Sequence, residues 1–334
     1  MYINEASPLQ EPDYMTEEQI NSIIKRIHFQ SGNTSGEIYL MEPYDGIQIW
    51  VSELDSRSST LFSYTEEGRF LCLSYCFEGR YEMEMSSKDY IYAEKGILSI
   101  DTTPFDGVTS FTKGKYRGME IIIDLNWMKG SLPDAWAECG IDLLEIADCT
   151  HDAEGSLLMK VTPEWEDLAG EMAKSIQEVS VPEGDYRFLL LQLLWKFKHE
   201  KKRFQKYNPQ FLTPGQRAIA IRTEKKLTSD LQKRFIITEM AEEIGISASS
   251  LKKYFTLYFG KSITLYMKEQ RLEKAKQLLK NTPMAIAEVA NLVGYENQGK
   301  FGTMFREEVG CTPIEYRRLH CPPYQEGERN EEIV

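Results

Sequence analysis

Ile237-Thr-Glu-Met-Ala-Glu-Glu-Ile-Gly-Ile-Ser-Ala-Ser-Ser-Leu-Lys-Lys-Tyr-Phe255 is the stretch whose reading decides the fold. Met240, Ala241 and Ile244 recur at helical spacing behind Thr238, a residue type that caps helix N-termini. Gly245 ends that helix, because glycine accepts the left-handed conformation a C-terminal turn requires. Ser247 caps a second helix whose inner face is Leu251, Tyr254 and Phe255. Helix, short glycine turn, helix is the helix-turn-helix pattern. The plan returns about fifty residues later: Met284 to Val293 predicts a helix, Gly294 stops it, and Asn297 caps a helix carrying Phe301, Met304 and Phe305. Ala241 matches Ala290, Gly245 matches Gly294, Leu251 matches Phe301 and Phe255 matches Phe305. One such match is common among buried helix pairs. Two in the same internal order, joined by a helix over Ser262 to Lys280, are far more specific.

These segments resemble the DNA-binding domain of AraC/XylS-type transcription regulators. The resemblance is carried by Met240-Ala-Glu-Glu-Ile-Gly-Ile-Ser247, Leu251-Lys-Lys-Tyr-Phe255, Gly260-Lys-Ser262, Arg271-Leu-Glu-Lys-Ala275, Ile286-Ala-Glu-Val-Ala290, Gly294-Tyr295, and Gly310-Cys-Thr-Pro-Ile-Glu-Tyr-Arg317. It covers about a hundred residues, Thr213 to His320. It implies an all-α domain with two helix-turn-helix modules, double-stranded promoter DNA as partner, RNA polymerase as a further partner and a homodimer. Arg271 and Glu288 are implied to brace the modules.

The chain has 334 residues and a formal net charge of -13, which looks wrong for a DNA-binding protein. Division removes the difficulty. Residues 214–320 hold 18 Lys and Arg against 12 Asp and Glu, whereas residues 1–213 hold 20 against 36. The basic part is the one expected to meet phosphate. The polar start Met1 to Pro8 lacks the pattern of a cleavable signal, and no run approaches a membrane span, so a cytoplasmic protein is expected. Six cysteines and four histidines are scattered without a Cys-x-x-Cys or zinc pattern, so no cofactor or metal is expected. Cys72 and Cys76 share parity on a strand-like run, which raises a redox pair or soft-metal site beside the simpler reading of free thiols.

The fold class expected is α+β. Helical spacing of Ile20, Ile23, Ile24 and Ile27 predicts a helix from Thr16 to His28. Period-two patterning then predicts strands at 46–54, 70–77, 80–85, 90–93, 97–100 and 116–124, with turns at Glu78-Gly79 and Glu94-Lys95-Gly96. In order and architecture this region resembles the cupin-like sensor domains that precede AraC-type domains, which implies a β-barrel able to enclose a small-molecule effector. No histidine lies between His28 and His151, so the metal-binding cupin pattern is absent and an enzyme is not expected. Trp50, Phe62, Tyr75, Arg80, Tyr81 and Tyr92 are the candidate ligand-binding residues. Two helices follow, from Thr162 and from Asp185, which the resemblance makes a dimerisation segment; packing on the barrel is the alternative. The resulting division is an arm and helix (1–36), a cupin-like domain (37–125), a helical segment (126–203), a linker (204–213), the DNA-binding domain (214–320) and an acidic tail (321–334).

Residues of each recognition helix not used for packing are the candidate DNA contacts. They are Ser249, Ser250, Lys252 and Lys253 in the first, and Asn297, Gln298, Lys300 and Thr303 in the second. Lysine reads guanine O6 and N7, and glutamine reads adenine with two hydrogen bonds. Arg306 and Lys261 are expected at phosphates, which position the protein rather than specify sequence. The function expected is a sequence-specific transcription regulator modulated by a small ligand. The alternative is a ligand-independent regulator whose N-terminal domain serves only dimerisation or protein docking.

Overall fold

The computed structural model describes residues 14–31, 34–56, 60–63, 69–84, 88–102, 108–111, 114–126, 134–150 and 156–320. The chain divides into two compact units, Met1–Pro214 and Gly215–Val334.

The first unit is built on two antiparallel sheets. The larger has nine strands in the order β1 (Tyr14–Gln19), β2 (Ile24–Ser31), β3 (Thr34–Tyr44), β4 (Ile47–Ser56), β11 (Gly114–Asp124), β6 (Phe70–Glu78), β9 (Ile97–Asp101), β12 (Ser156–Lys160) and β13 (Gln205–Lys206). The smaller runs β5 (Thr60–Ser63), β10 (Val108–Phe111), β7 (Arg80–Glu84) and β8 (Tyr90–Glu94). Alternation along β6 and β11 makes the layers. Leu71, Leu73, Tyr75 and Phe77, with Met119, Ile121 and Ile123, face the helices. Cys76 and Tyr116 face the smaller sheet and pack with Tyr81, Ile91 and Ala93. The helical layer consists of α1 (Asp134–Glu138), α2 (Leu143–Asp148), α3 (Pro163–Glu178) and α4 (Glu183–Glu200). Trp165 anchors it: its ring meets Tyr75 edge-on at 5.3 Å, and its Nε1 donates to the Leu193 carbonyl at 3.3 Å.

The α+β class is as expected, and four features differ in detail. The strands form two open sheets rather than a hydrogen-bonded closed barrel. The helix expected over 16–28 is the β1–β2 hairpin, turned by Asn21, whose Oδ1 accepts from the amides of Ile23 and Ile24 at 3.0 and 2.8 Å. The expected linker 204–213 packs on the first unit: Phe204 is buried in its core, Tyr207 donates to the Leu158 carbonyl, and Leu212 bonds Tyr90 in both directions. Cys72 and Cys76 do share a sheet face, but four steps along the strand put them about 13 Å apart, beyond the reach of a disulfide. Within the expected helical segment 126–203, residues 127–133 lie outside the described residues, and α1 spans Asp134–Glu138. The expected acidic tail lies outside them as well.

The second unit is helical: α5 (Pro214–Thr228), α6 (Ile237–Ile244), α7 (Ala248–Phe259), α8 (Ile263–Asn281), α9 (Ile286–Leu292), α10 (Gln298–Val309) and α11 (Pro313–His320). Phe301, Met304 and Phe305 pack against Leu272, Ala275 and Leu279 of α8 and Val289 and Ala290 of α9. Phe255, Phe259 and Tyr266 make the equivalent aromatic contacts between α7 and α8, with centroids 4.4 to 5.4 Å apart.

Candidate nucleic-acid interface

The two helix-turn-helix modules are the same device built twice. Gly245 and Gly294 sit at φ of 78° and 81°. After each, the next amide returns to the preceding helix: Ile246 N donates to Ala241 O at 3.0 Å, and Tyr295 N to Ala290 O at 2.9 Å. These six-residue closures satisfy carbonyls left open at a helix C-terminus. Each second helix is then capped by a side chain. Ser247 Oγ accepts from Ser250 N at 3.0 Å, and Asn297 Oδ1 from Lys300 N at 2.9 Å. Both second helices have 12 residues. The first helix begins two residues earlier than its sequence suggests: Ile236 is the N-cap, and Thr238 lies inside the first turn.

Burial separates the faces of the two recognition helices. Leu251, Phe255 and Tyr258 of α7 are buried, while Ser249, Lys252 and Lys253 are exposed. Phe301, Met304 and Phe305 of α10 are buried, while Gln298, Lys300, Thr303 and Arg306 are exposed. Several candidate side chains already have work within the fold. Ser247 Oγ lies 2.8 Å from Ser249 Oγ and 2.9 Å from Ser250 Oγ, the latter on a half-buried residue. Thr303 Oγ1 donates to Gly299 O at 3.1 Å. Lys261 Nζ is paired with Glu269 at 2.7 Å, which competes with the phosphate contact expected of it. Thr256 was missed by sequence reasoning. It is exposed three residues after Lys253, so it shares the outward stripe, and in the duplicated register it stands where Arg306 stands in α10.

The modules are braced through α8. The hydrogen bond from Lys268 to Glu308 links α8 to α10 at 2.5 Å and holds the Lys268 ammonium above its ordinary pKa. Arg271 Nη2 donates to Lys233 O at 3.5 Å, and Tyr266 OH donates to Glu224 at 2.8 Å. Glu288 accepts from Ala285 N at 3.0 Å and so braces the start of α9.

The six residues proposed for an effector pocket do not line one space. Tyr75 belongs to the core on the helix side of the large sheet, whereas Trp50 packs on the opposite face with Phe70, Cys72 and Ile122. Tyr81 lies between the two sheets, its hydroxyl 2.8 Å from Ser99 Oγ. The Arg80 guanidinium lies 4.5 Å over the Tyr92 ring. Phe62 is on β5, and its side chain is outside what is described.

Two capped helix-turn-helix modules on one connecting helix define a fold of the double helix-turn-helix class. The model of the family described as "Helix-turn-helix domain" matches residues 240–319. The chain is 28% identical over 116 residues to the HTH-type transcriptional activator RhaR of Enterobacter sp. (strain 638), a match covering 35% of this chain and 41% of RhaR. It is 25% identical over 214 residues to the HTH-type transcriptional regulator ExsA of Pseudomonas aeruginosa, covering 62% of this chain and 72% of ExsA. Among solved structures, the C-terminal domain of AraT, a response regulator from Geobacillus stearothermophilus, is 28% identical; the match covers 34% of this chain and 96% of that one, with a TM-score of 0.31. The chain therefore carries a helix-turn-helix domain at residues 240–319 and is similar there to proteins named as helix-turn-helix transcription regulators. It spans less than half the length of RhaR. Among the described residues, no helix is long and apolar enough to cross a membrane.

Proposed function

We propose that this protein is a non-catalytic, sequence-specific transcription regulator that binds promoter DNA through both modules and acts with RNA polymerase. The observation that carries the reading is the duplication itself. Two recognition helices are capped, turned and packed alike, and each keeps an outward polar face. The connecting helix α8 has 19 residues, which at 1.5 Å rise gives about 28 Å, close to one turn of B-DNA at about 34 Å. That length suits insertion into successive major grooves. Lys252, Lys253 and Gln298 are the side chains proposed to read base edges, and Lys300 and Arg306 to hold phosphates.

The N-terminal unit is proposed to dimerise the protein and to sense a small molecule. Dimerisation is supported by α4, where Phe188 and Trp195 are 59% and 44% exposed one above the other at seven-residue spacing. Selection of bound DNA from a random pool by the full-length protein, with and without small-molecule extracts, tests the reading. A recovered site with two elements about 10 base pairs apart supports it. Recovery of unrelated sequences at physiological salt overturns it.

A further inference from the structure

We infer that the face of the large sheet around Glu120 is a recess for a small organic cation, whose ammonium or guanidinium group meets the Glu120 carboxylate beside the Trp50 ring. The inference rests on the proposal that the N-terminal unit senses a small molecule, and it names the chemistry of that molecule.

Strand register places the group. Glu120 is opposite Trp50 on one neighbouring strand and Ser74 on the other, and Ser74 is opposite Ser99. Met119 and Ile121 enter the helix-side core, so alternation turns Glu120 to the other face, where Trp50, Cys72 and Ile122 pack. A carboxylate in a central row of a sheet needs a positive or donating partner, since its desolvation is otherwise uncompensated. The described residues do not supply one. Ser99 Oγ donates to Asp101 Oδ2 at 2.9 Å and lies 2.8 Å from the Tyr81 hydroxyl, so these groups serve Asp101. Among the described residues, none donates a hydrogen bond to the Glu120 carboxylate or pairs with it. Lys25 lies in the same row but three strands away, about 14 Å at strand spacing.

Glu120 is nevertheless not sealed. Its row neighbours Trp50, Ser74 and Ser99 are buried, while Glu120 itself keeps part of its surface accessible. Burial and the Asp101 charge push its carboxyl up to about 7. Burial, then the charges of Glu120 and Asp101, push the Cys72 thiol well up, which places all three groups in one region. Glu120 and Trp50 are opposite one another on antiparallel strands, with Cβ atoms about 5 Å apart. Carboxylate, indole face and an apolar floor are the elements that select organic cations.

The test uses full-length protein, thermal melting followed by tryptophan fluorescence, and four probes: putrescine, agmatine, benzylamine and the neutral benzyl alcohol. Without any probe, Glu120→Gln is expected to melt above the wild type, because it removes an unmatched charge. A variant that melts below the wild type means that the fold itself pairs Glu120, and overturns the inference. At least one of the three amines should raise the wild-type midpoint saturably, with an apparent affinity at least tenfold weaker in Glu120→Gln and also weakened in Trp50→Leu. No shift from any amine, or equal shifts in wild type and Glu120→Gln, overturns it. A shift from benzyl alcohol equal to that from benzylamine removes the cation but leaves small-molecule sensing standing, which separates the two failures.

Discussion

Replacing the turn glycines one at a time should separate two penalties that usually arrive together. At Gly245 a Cβ would meet nothing within 4 Å, so Gly245→Ala carries only the strain of a side chain at φ 78°. That strain is about 1 kcal/mol. At Gly294 the same Cβ would lie 2.4 Å from the Leu231 carbonyl oxygen and 2.9 Å from Arg271 Nη2. The carbonyl belongs to the backbone leading into α6, so it cannot swing aside as a side chain would. Gly294→Ala therefore adds an overpacking penalty of about 1–3 kcal/mol to the strain. For a unit of about a hundred residues, each kcal/mol lowers the midpoint by about 4–8 °C. The expected shifts are about 5 °C for Gly245→Ala and 10 °C or more, roughly, for Gly294→Ala. Circular dichroism at 222 nm on the full-length protein reads both. Tryptophan fluorescence is an internal control, because all five tryptophans precede Pro214. Equal shifts for the two variants would refute the claim that the second turn is locked against the entry to the first module.

Other outcomes follow from named contacts. Raising the pH from about 4.5 to about 7 should destabilise the wild type relative to Glu120→Gln and leave the difference flat above that, because the Glu120 carboxyl titrates near 7 when folded and at an ordinary value when unfolded. The protonated form is the favoured native form, so the stability it contributes is present at low pH and lost on the way up; the ceiling is about 3 kcal/mol, less for a partly accessible group. Urea titrations at several pH values check this, and a constant difference contradicts it. Phe188→Asp with Trp195→Ser should shift the sedimentation coefficient from dimer to monomer without changing the melting of the helical layer, since both side chains point outward. Gln298→Ala should relax base preference at one position at about 1–3 kcal/mol, seen by competition binding, whereas uniform loss on every sequence would make it a backbone contact. Lys300→Ala should lower the slope of log affinity against log salt by about one, and Lys261→Ala by less because of its pairing with Glu269.

The second unit was legible because its signals are local. Gly245, Gly294, Ser247 and Asn297 sit at the turns and caps they predict, and Leu251, Phe255, Phe301 and Phe305 are buried as their spacing requires. The first unit was legible only where alternation is strong, as in β6 and β11. At Ile20, Ile23, Ile24 and Ile27 the apolar spacing imitates a helix, but a side-chain turn at Asn21 breaks it and the hairpin wins by pairing with β3. The candidate pocket failed for a related reason: aromatic residues were gathered by type, while strand parity sends Tyr75 to one face and Trp50 to the other. Glu120 was passed over because one acidic residue among Met119, Ile121, Ile122 and Ile123 reads as an interruption, and its place opposite Trp50 becomes visible only in the sheet. Engagement of Lys261 by Glu269, eight residues on, depends on how the α7–α8 turn directs both side chains.

Methylation-protection footprinting of the selected DNA site tests the central claim most directly. The account predicts two protected major-groove patches about one helical turn apart on one face of the duplex. Lys252→Ala should erase protection at one patch only, and Gln298→Ala at the other only. A single patch, or loss of both patches from either substitution, would contradict the duplicated reading device on which the proposed function stands.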